Sequence, residues 1–180
     1  MKKIILIIGI LLTTLLSCSK KDDPTLTPLE QLPPATKTGA NTAGCLVNGE
    51  AFLPKGFFPS GNLTCFYINQ LNFSLSINNK ENNIIKGVSI YYSEETLEVG
   101  TTYTLNTRYQ TNAKTGEYVI NESPFPNDDY YSTTNEIKGE LVITRHDYDN
   151  AIISGTFWFD AINDIGEKIE VREGRFDMEY

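Results

Sequence analysis

Three cysteines, a single histidine, a single tryptophan and several acidic turns are the chemistry-bearing residues of this 180-residue chain. Cys18 ends an apolar run, where a thiol can take a thioether-linked lipid. Cys45 and Cys65 form an even pair. In an oxidising compartment such a pair points to a disulfide. It would close about 20 residues and contribute about 3 kcal/mol in the chain-entropy view. Two buried free thiols, or a metal pair short of further ligands, are the alternatives. The absence of C-x-x-C argues against a redox-active pair. His146 has acidic neighbours and Ser132 upstream, but no G-x-S-x-G or related context surrounds the serine. One histidine leaves little room for histidine-based catalysis or a multi-histidine metal site. Asp160, Asn163, Asp164 and Glu167 offer oxygen ligands around one turn, and Asp147, Asp149 and Asn150 around another. Calcium takes about six to eight oxygens in a spaced pattern that neither turn matches. Asp and Asn are common in turns for conformational reasons alone. No metal and no cofactor are assigned.

The elements that must position these residues read as strands. Leu71, Phe73, Leu75 and Ile77 alternate with polar residues, the period of a half-buried strand. An Asn-rich turn is read over 78–83, then a second strand with Ile84, Val88, Ile90 and Tyr92 on one face. Cys45-Leu46-Val47 and Ala51-Phe52-Leu53 flank Asn48-Gly49, a strong hairpin signal. Leu63–Ile68 and Thr101–Asn106 are further strands. Residues 108–135 are polar and Tyr-rich. They read as a long excursion with a short strand near Tyr118-Val119-Ile120, and Tyr130-Tyr131 could belong to a binding loop.

The C-terminal third is sharper. Leu141 and Ile143 mark one strand, and Ile153, Phe157, Phe159 and Ala161 the next. Opposed residues in a hairpin have a constant index sum, which must be even for these odd-numbered faces to coincide. A three-residue loop, Tyr148-Asp149-Asn150, pairing Asp147 with Ala151 and placing Asn150 in the left-handed region, meets that condition. In the last strand Ile169 and Val171 are odd while Phe176 and Met178 are even, which predicts a bulge at Glu173-Gly174. Trp158 falls between Phe157 and Phe159 and so points to the opposite face, with Ser154, Thr156 and Asp160. There it could stack on a ligand such as a sugar ring, line a cavity, or be covered by a neighbouring loop or strand. The fold class is all-β: one antiparallel β-sandwich or calycin-like barrel of about eight to ten strands.

The N-terminus reads as an address. Lys2 and Lys3 precede Ile4–Leu16, an uncharged apolar stretch. As a helix it would cover about 20 Å, short of the roughly 30 Å hydrocarbon core, which favours a signal peptide over a span. The run Leu15-Leu16-Ser17-Cys18 resembles a bacterial lipobox, with Leu16 bulkier than usual at its position. That implies cleavage before Cys18, transfer of a diacylglyceryl group to its thiol, with palmitate among the acyl chains, and attachment to membrane through the lipid. Ser19-Lys20-Lys21-Asp22-Asp23 resembles the export signal of Bacteroidota surface lipoproteins. The location read is therefore the outer membrane, with the outer face and the periplasmic leaflet as the two placements. Pro24, Pro28, Pro33 and Pro34 fall in a linker that could extend about 60 Å. The domain reading is 1–17 signal peptide, 18–39 lipidated Cys and flexible linker, and 40–180 all-β domain.

Charge narrows the partners. With 15 Lys+Arg against 23 Asp+Glu, the net charge of -8 argues against nucleic acid and against adsorption to anionic lipid. The residues 34–54 and 153–180 resemble an uncharacterised family of Bacteroidota lipoproteins. The opening block carries Thr38, Gly39, Thr42, Gly44, Cys45, Val47, Asn48 and Gly49. The closing block carries Ser154, Gly155, Thr156, Phe157, Phe159, Gly174, Arg175, Phe176 and Asp177. The resemblance implies one all-β domain and no particular activity. The function expected is a non-enzymatic binding or structural module of the cell envelope with a glycan or protein partner. A lipocalin-like carrier of a small apolar ligand is the alternative, and a hydrolase with dispersed carboxylates ranks last.

Overall fold

A computed structural model describes residues 26–82, 84–108, 113–122 and 128–180. Every element among them is a strand: β1 (Thr42–Val47), β2 (Glu50–Phe52), β3 (Leu63–Ile68), β4 (Asn72–Glu81), β5 (Ile84–Ser93), β6 (Thr102–Leu105), β7 (Lys114–Glu122), β8 (Asp128–Ser132), β9 (Gly139–Asp147), β10 (Ile152–Ile162) and β11 (Lys168–Glu179). All strand ladders are antiparallel, in the order β2-β1-β11-β10-β8-β7-β5-β4-β3. The β6–β9 pair branches off β10.

The branch at β10 makes the two layers. Residues 152–159 of β10 pair with β9, while Ile162 alone meets Ser132 of β8. The sheet folds there, so that β3-β4-β5-β7-β8 faces the layer formed by the remaining strands. Ring contacts cross the gap: Phe73 of β4 meets Phe176 of β11 at 5.6 Å, and Tyr92 of β5 meets Tyr103 of β6 at 5.0 Å. Phe157, Phe159, Leu75, Ile77 and Leu141 fill the space between. The segment after β2 meets β4, past the end of its pairing with β3, through one parallel bridge, Lys55 to Asn79. A single bridge is not a ladder, so the sheet is sandwich-like and not a closed barrel.

Local sequence explains most boundaries. The Asn48-Gly49 turn takes φ of 49° and 86°, the left-handed pair a two-residue hairpin requires. β4 buries Phe73, Leu75 and Ile77 as alternation demands, but runs on to Glu81 opposite Ile84, where a turn was read from Asn78. Leu71 lies in the turn after β3 and is exposed.

The 108–135 stretch is corrected most. It supplies β7 and β8, two strands of the main sheet, and Tyr130-Tyr131 lies within β8. Its inward positions are Gly116, Tyr118 and Tyr131 in place of aliphatic residues, so apolar alternation is muted. Thr115 is fully buried because its hydroxyl donates to the Thr107 carbonyl at 2.8 Å.

The β9–β10 hairpin obeys the parity argument by another route. Asp147 pairs with Ile152, an odd sum, and Ala151 holds the left-handed φ of 51° in place of Asn150. The register then shifts between Ser154 and Gly155, leaving Thr144 as an extra residue. Beyond that bulge Leu141 opposes Phe157 and the core faces coincide. The bulge expected in the last strand is present. β11 places Arg172 and Glu173 opposite Trp158 alone, with Glu173 at φ 54°.

One close approach fixes the spacing of the layers. A Cβ on Gly116 would stand 2.5 Å from Cγ of Phe159. Gly116→Ala should therefore lower the unfolding free energy by about 2 kcal/mol. Urea denaturation should show a lower midpoint at unchanged slope.

Candidate functional site

Trp158 is half-buried on the outer face of β10, as its parity requires. Its Nε1–H donates to Glu140 Oε2 at 3.1 Å from the opposed position on β9. The Arg172 guanidinium lies over its ring, 5.4 Å from the centroid. Arg172 is itself pinned by Asp160 at 2.6 Å and by the carbonyls of Phe159 and Val171. The bulge produces this arrangement. Two residues of β11 against one of β10 bend the strand and aim Arg172 at the indole. A groove of 540 Å³ results, lined beside Trp158 by Ala35, Glu140, Val142, Thr156, Arg172 and Arg175. An amphipathic ring bordered by carboxylates and guanidiniums suits a ligand with both hydroxyls and an apolar face.

Ser154 does not share that solvated face, although it lies in the same row. It is fully buried, and its hydroxyl donates to Asp177 Oδ1 at 2.7 Å. Asp177 is buried too, and no cation pairs with it among the described residues. It accepts from Thr36 Oγ1 at 2.7 Å, Thr38 N at 2.8 Å and Gly39 N at 2.8 Å, with longer bonds from Thr38 Oγ1 and Ala40 N. The donors come from the segment read as flexible linker up to residue 39. From Thr36 onward that segment is a strap held on the sheet, and Leu32 ahead of it is buried. Arg145 also donates to the Lys37 carbonyl. Burial alone would raise the Asp177 pKa, but the donors of Thr36, Thr38, Ser154 and Gly39 outweigh it and hold the carboxyl well below the usual range. Sequence reasoning gave Asp177 no role. The signal was there in the two family-like blocks, whose Thr38-Gly39, Ser154 and Asp177 meet at this one carboxylate.

The other candidate residues are dispersed. Cys18 lies outside the described residues. Cys45 and Cys65 are free thiols, which corrects the expected disulfide. Each packs in the core as a small hydrophobe, Cys45 on β1 beside Tyr118 and Cys65 on β3 beside Tyr180. Burial pushes the Cys65 thiol up to about 12 and Cys45 higher still, so both are protonated and unreactive. Ser132 and His146 sit beside opposite ends of β10, about 30 Å apart along the strand, and form no pair. His146 Nδ1–H donates to the Leu97 carbonyl at 2.8 Å, and Nε2 accepts from the Tyr180 hydroxyl at 3.2 Å. Its ring stacks on Tyr148 at 4.0 Å. The histidine thus pins a loop within an aromatic cluster. The acidic turns are used locally. Asn163 Oδ1 accepts from the Glu167 amide, Glu167 from the Tyr131 hydroxyl, and Asp164 pairs with Arg108. Asp147 is pulled to about 2 by Asn150 and Arg145.

Fold and groove together define a class: a strand-only module with a recess beside Trp158 on an outer sheet face. More particularly, residues 69–178, over half of the chain, match the family model described as Domain of unknown function (DUF6252), and the chain belongs to that family. The match takes in Trp158, Ser154 and Asp177 but not the opening block at 34–54. No curated protein and no solved structure gives a significant match.

The Asp177 bonds carry a prediction. Asp177→Asn removes the charge and part of the acceptor capacity, and should cost about 3 kcal/mol in urea unfolding. A depressed carboxyl pKa contributes stability that is complete above the unfolded value of about 3.9 and is lost as pH falls below it. Wild type should therefore lose stability steeply below about pH 4, and the variant should show a shallower acid dependence.

Proposed function

We propose that the protein is a lipid-anchored, non-enzymatic binding module of the cell envelope, and that the Trp158 groove is its contact surface. The observation that carries the reading is a half-exposed indole fixed by Glu140 and Arg172 at the wall of a 540 Å³ recess. An aromatic held by polar neighbours is pre-organised, so a ligand has less ordering cost to meet on binding. The groove volume falls within the common range for small-molecule sites, about 300–1,000 Å³. The interior is filled by Phe73, Phe157, Phe159 and Phe176, which supports the outer groove over an internal carrier cavity.

The lipobox-like run ending at Cys18 supports acylation, and the Lys20-Lys21-Asp22-Asp23 cluster supports export to the outer face of a Bacteroidota-type outer membrane. With Leu32 buried and Thr36 to Ala40 held on the sheet, the tether of this reading is the chain ahead of Leu32. A glycan or an envelope protein is the partner class.

Two measurements test this. Cys18→Ala should abolish palmitate incorporation in cells and release the chain from the membrane fraction. Retained label would remove the anchor. Trp158 is the only tryptophan, so its fluorescence reports the groove alone. Titration across a glycan panel should shift the emission for at least one member, and calorimetric titration of Trp158→Ala should show that binding weakened about tenfold or more. Binding unaltered in Trp158→Ala would place the contact surface elsewhere.

A further inference from the structure

Among the described residues β3 pairs only with β4, and the sheet ends there. The Asn62 carbonyl accepts from the Asn78 amide at 2.7 Å, and that of Ile68 from Leu71 at 3.2 Å. Strand alternation then turns the main-chain groups of Thr64 and Phe66 to β4, and those of Leu63, Cys65 and Tyr67 to the free edge. Among the described residues no strand pairs with that edge.

Exposed edges are ordinarily blunted by Lys, Pro or a bulge. β3 has the sequence Leu-Thr-Cys-Phe-Tyr-Ile, and its ladder with β4 runs without a register shift. Phe66 and Ile68 point outward and are 53% and 56% exposed. The neutrality extends further. Residues 56–79 contain no Asp, Glu, Lys or Arg, in a chain where 21% of residues are charged. A groove of 320 Å³ follows the edge between β3 and Asn41, Met178 and Glu179, with Glu179 its only charged lining residue.

We propose that a second copy of this chain occupies the edge, with β3 pairing antiparallel to β3 about a two-fold axis. The charge distribution selects this partner. Two copies of net charge -8 repel across most of their surfaces, and the hairpin of β3 and β4 is a long neutral approach. A two-fold contact is self-complementary by construction. An even index sum is needed for the exposed faces to coincide. Centring the pair on Phe66 sets it against its own equivalent and Thr64 against Ile68. Cys65 then opposes Tyr67, and both carry free-edge groups, so these form the hydrogen-bonded pairs. Phe66 falls in a non-hydrogen-bonded pair, with Cα atoms about 4.5 Å apart, within disulfide reach.

Sedimentation of the full chain in mild detergent tests the pairing. A dimer is expected at concentrations up to about 100 μM. Phe66→Lys and Ile68→Lys should each raise the dissociation constant about tenfold or more. Ile165→Lys, on the exposed turn at 163–166, should leave it unchanged. Phe66→Cys should form a disulfide between copies on mild oxidation, a readout that needs no destabilised variant. A chain that stays monomeric throughout the range overturns the proposal, even if it takes a strand from a different protein. So does a dimer indifferent to both lysine variants, or a Phe66→Cys chain that never cross-links.

Discussion

A carboxylate with no paired cation among the described residues organises this molecule. Asp177 lies inside the fold, where an ion left alone would cost several kcal/mol. Hydrogen-bond donors from residues 36–40 and from Ser154 surround it. The compensation is reciprocal, because those main-chain amides would be orphaned without the carboxylate. One consequence is that the chain ahead of β1 is part of the domain. Another is that the outer face of β10 is divided: covered at Ser154, open at Trp158. Ala35, just before the strap, borders the groove, so the carboxylate also fixes one limit of the candidate site.

The irregularities of the sheet decide where the site falls. The extra residue in β11 opposes Trp158 and brings Arg172 over its ring. The extra residue in β9, Thr144, restores the parity that lets Leu141 and Phe157 share the core. Both bulges border β10, the strand on which the sheet divides. A regular ladder would have left the indole on a flat polar surface, and the hairpin core out of phase.

Legibility in the sequence followed the strength of the local signal. Asn48-Gly49 dictates a left-handed two-residue turn, and Phe73, Leu75 and Ile77 dictate a face, so both were readable. The even-sum requirement at Leu141 and Phe157 was also sound, but whether a loop or a bulge meets it depends on tertiary packing. β7 and β8 were obscured because Gly116 is shaped by the Phe159 ring across the core, and Thr115 is buried through a hydroxyl bond to Thr107. Trp158 could be placed on the outer face from parity alone. Its partners Glu140 and Arg172 come from other strands, and only pairing reveals them. Cys45 and Cys65 are a case where counting misleads, since a thiol in a core strand serves as well by its volume as by its bond-forming capacity.

The strap has a mechanical meaning. It meets the sheet through several hydrogen bonds that converge on one side chain of a central strand, and β11 is hydrogen-bonded on both flanks by β1 and β10. Tension applied to the chain ahead of the strap therefore reaches β11 through the donors of Thr36, Thr38, Gly39 and Ala40 on the Asp177 carboxylate. The load passes into the middle of the sheet, away from the free edge strands. A pull on this end is carried by the part of the fold best built to bear it.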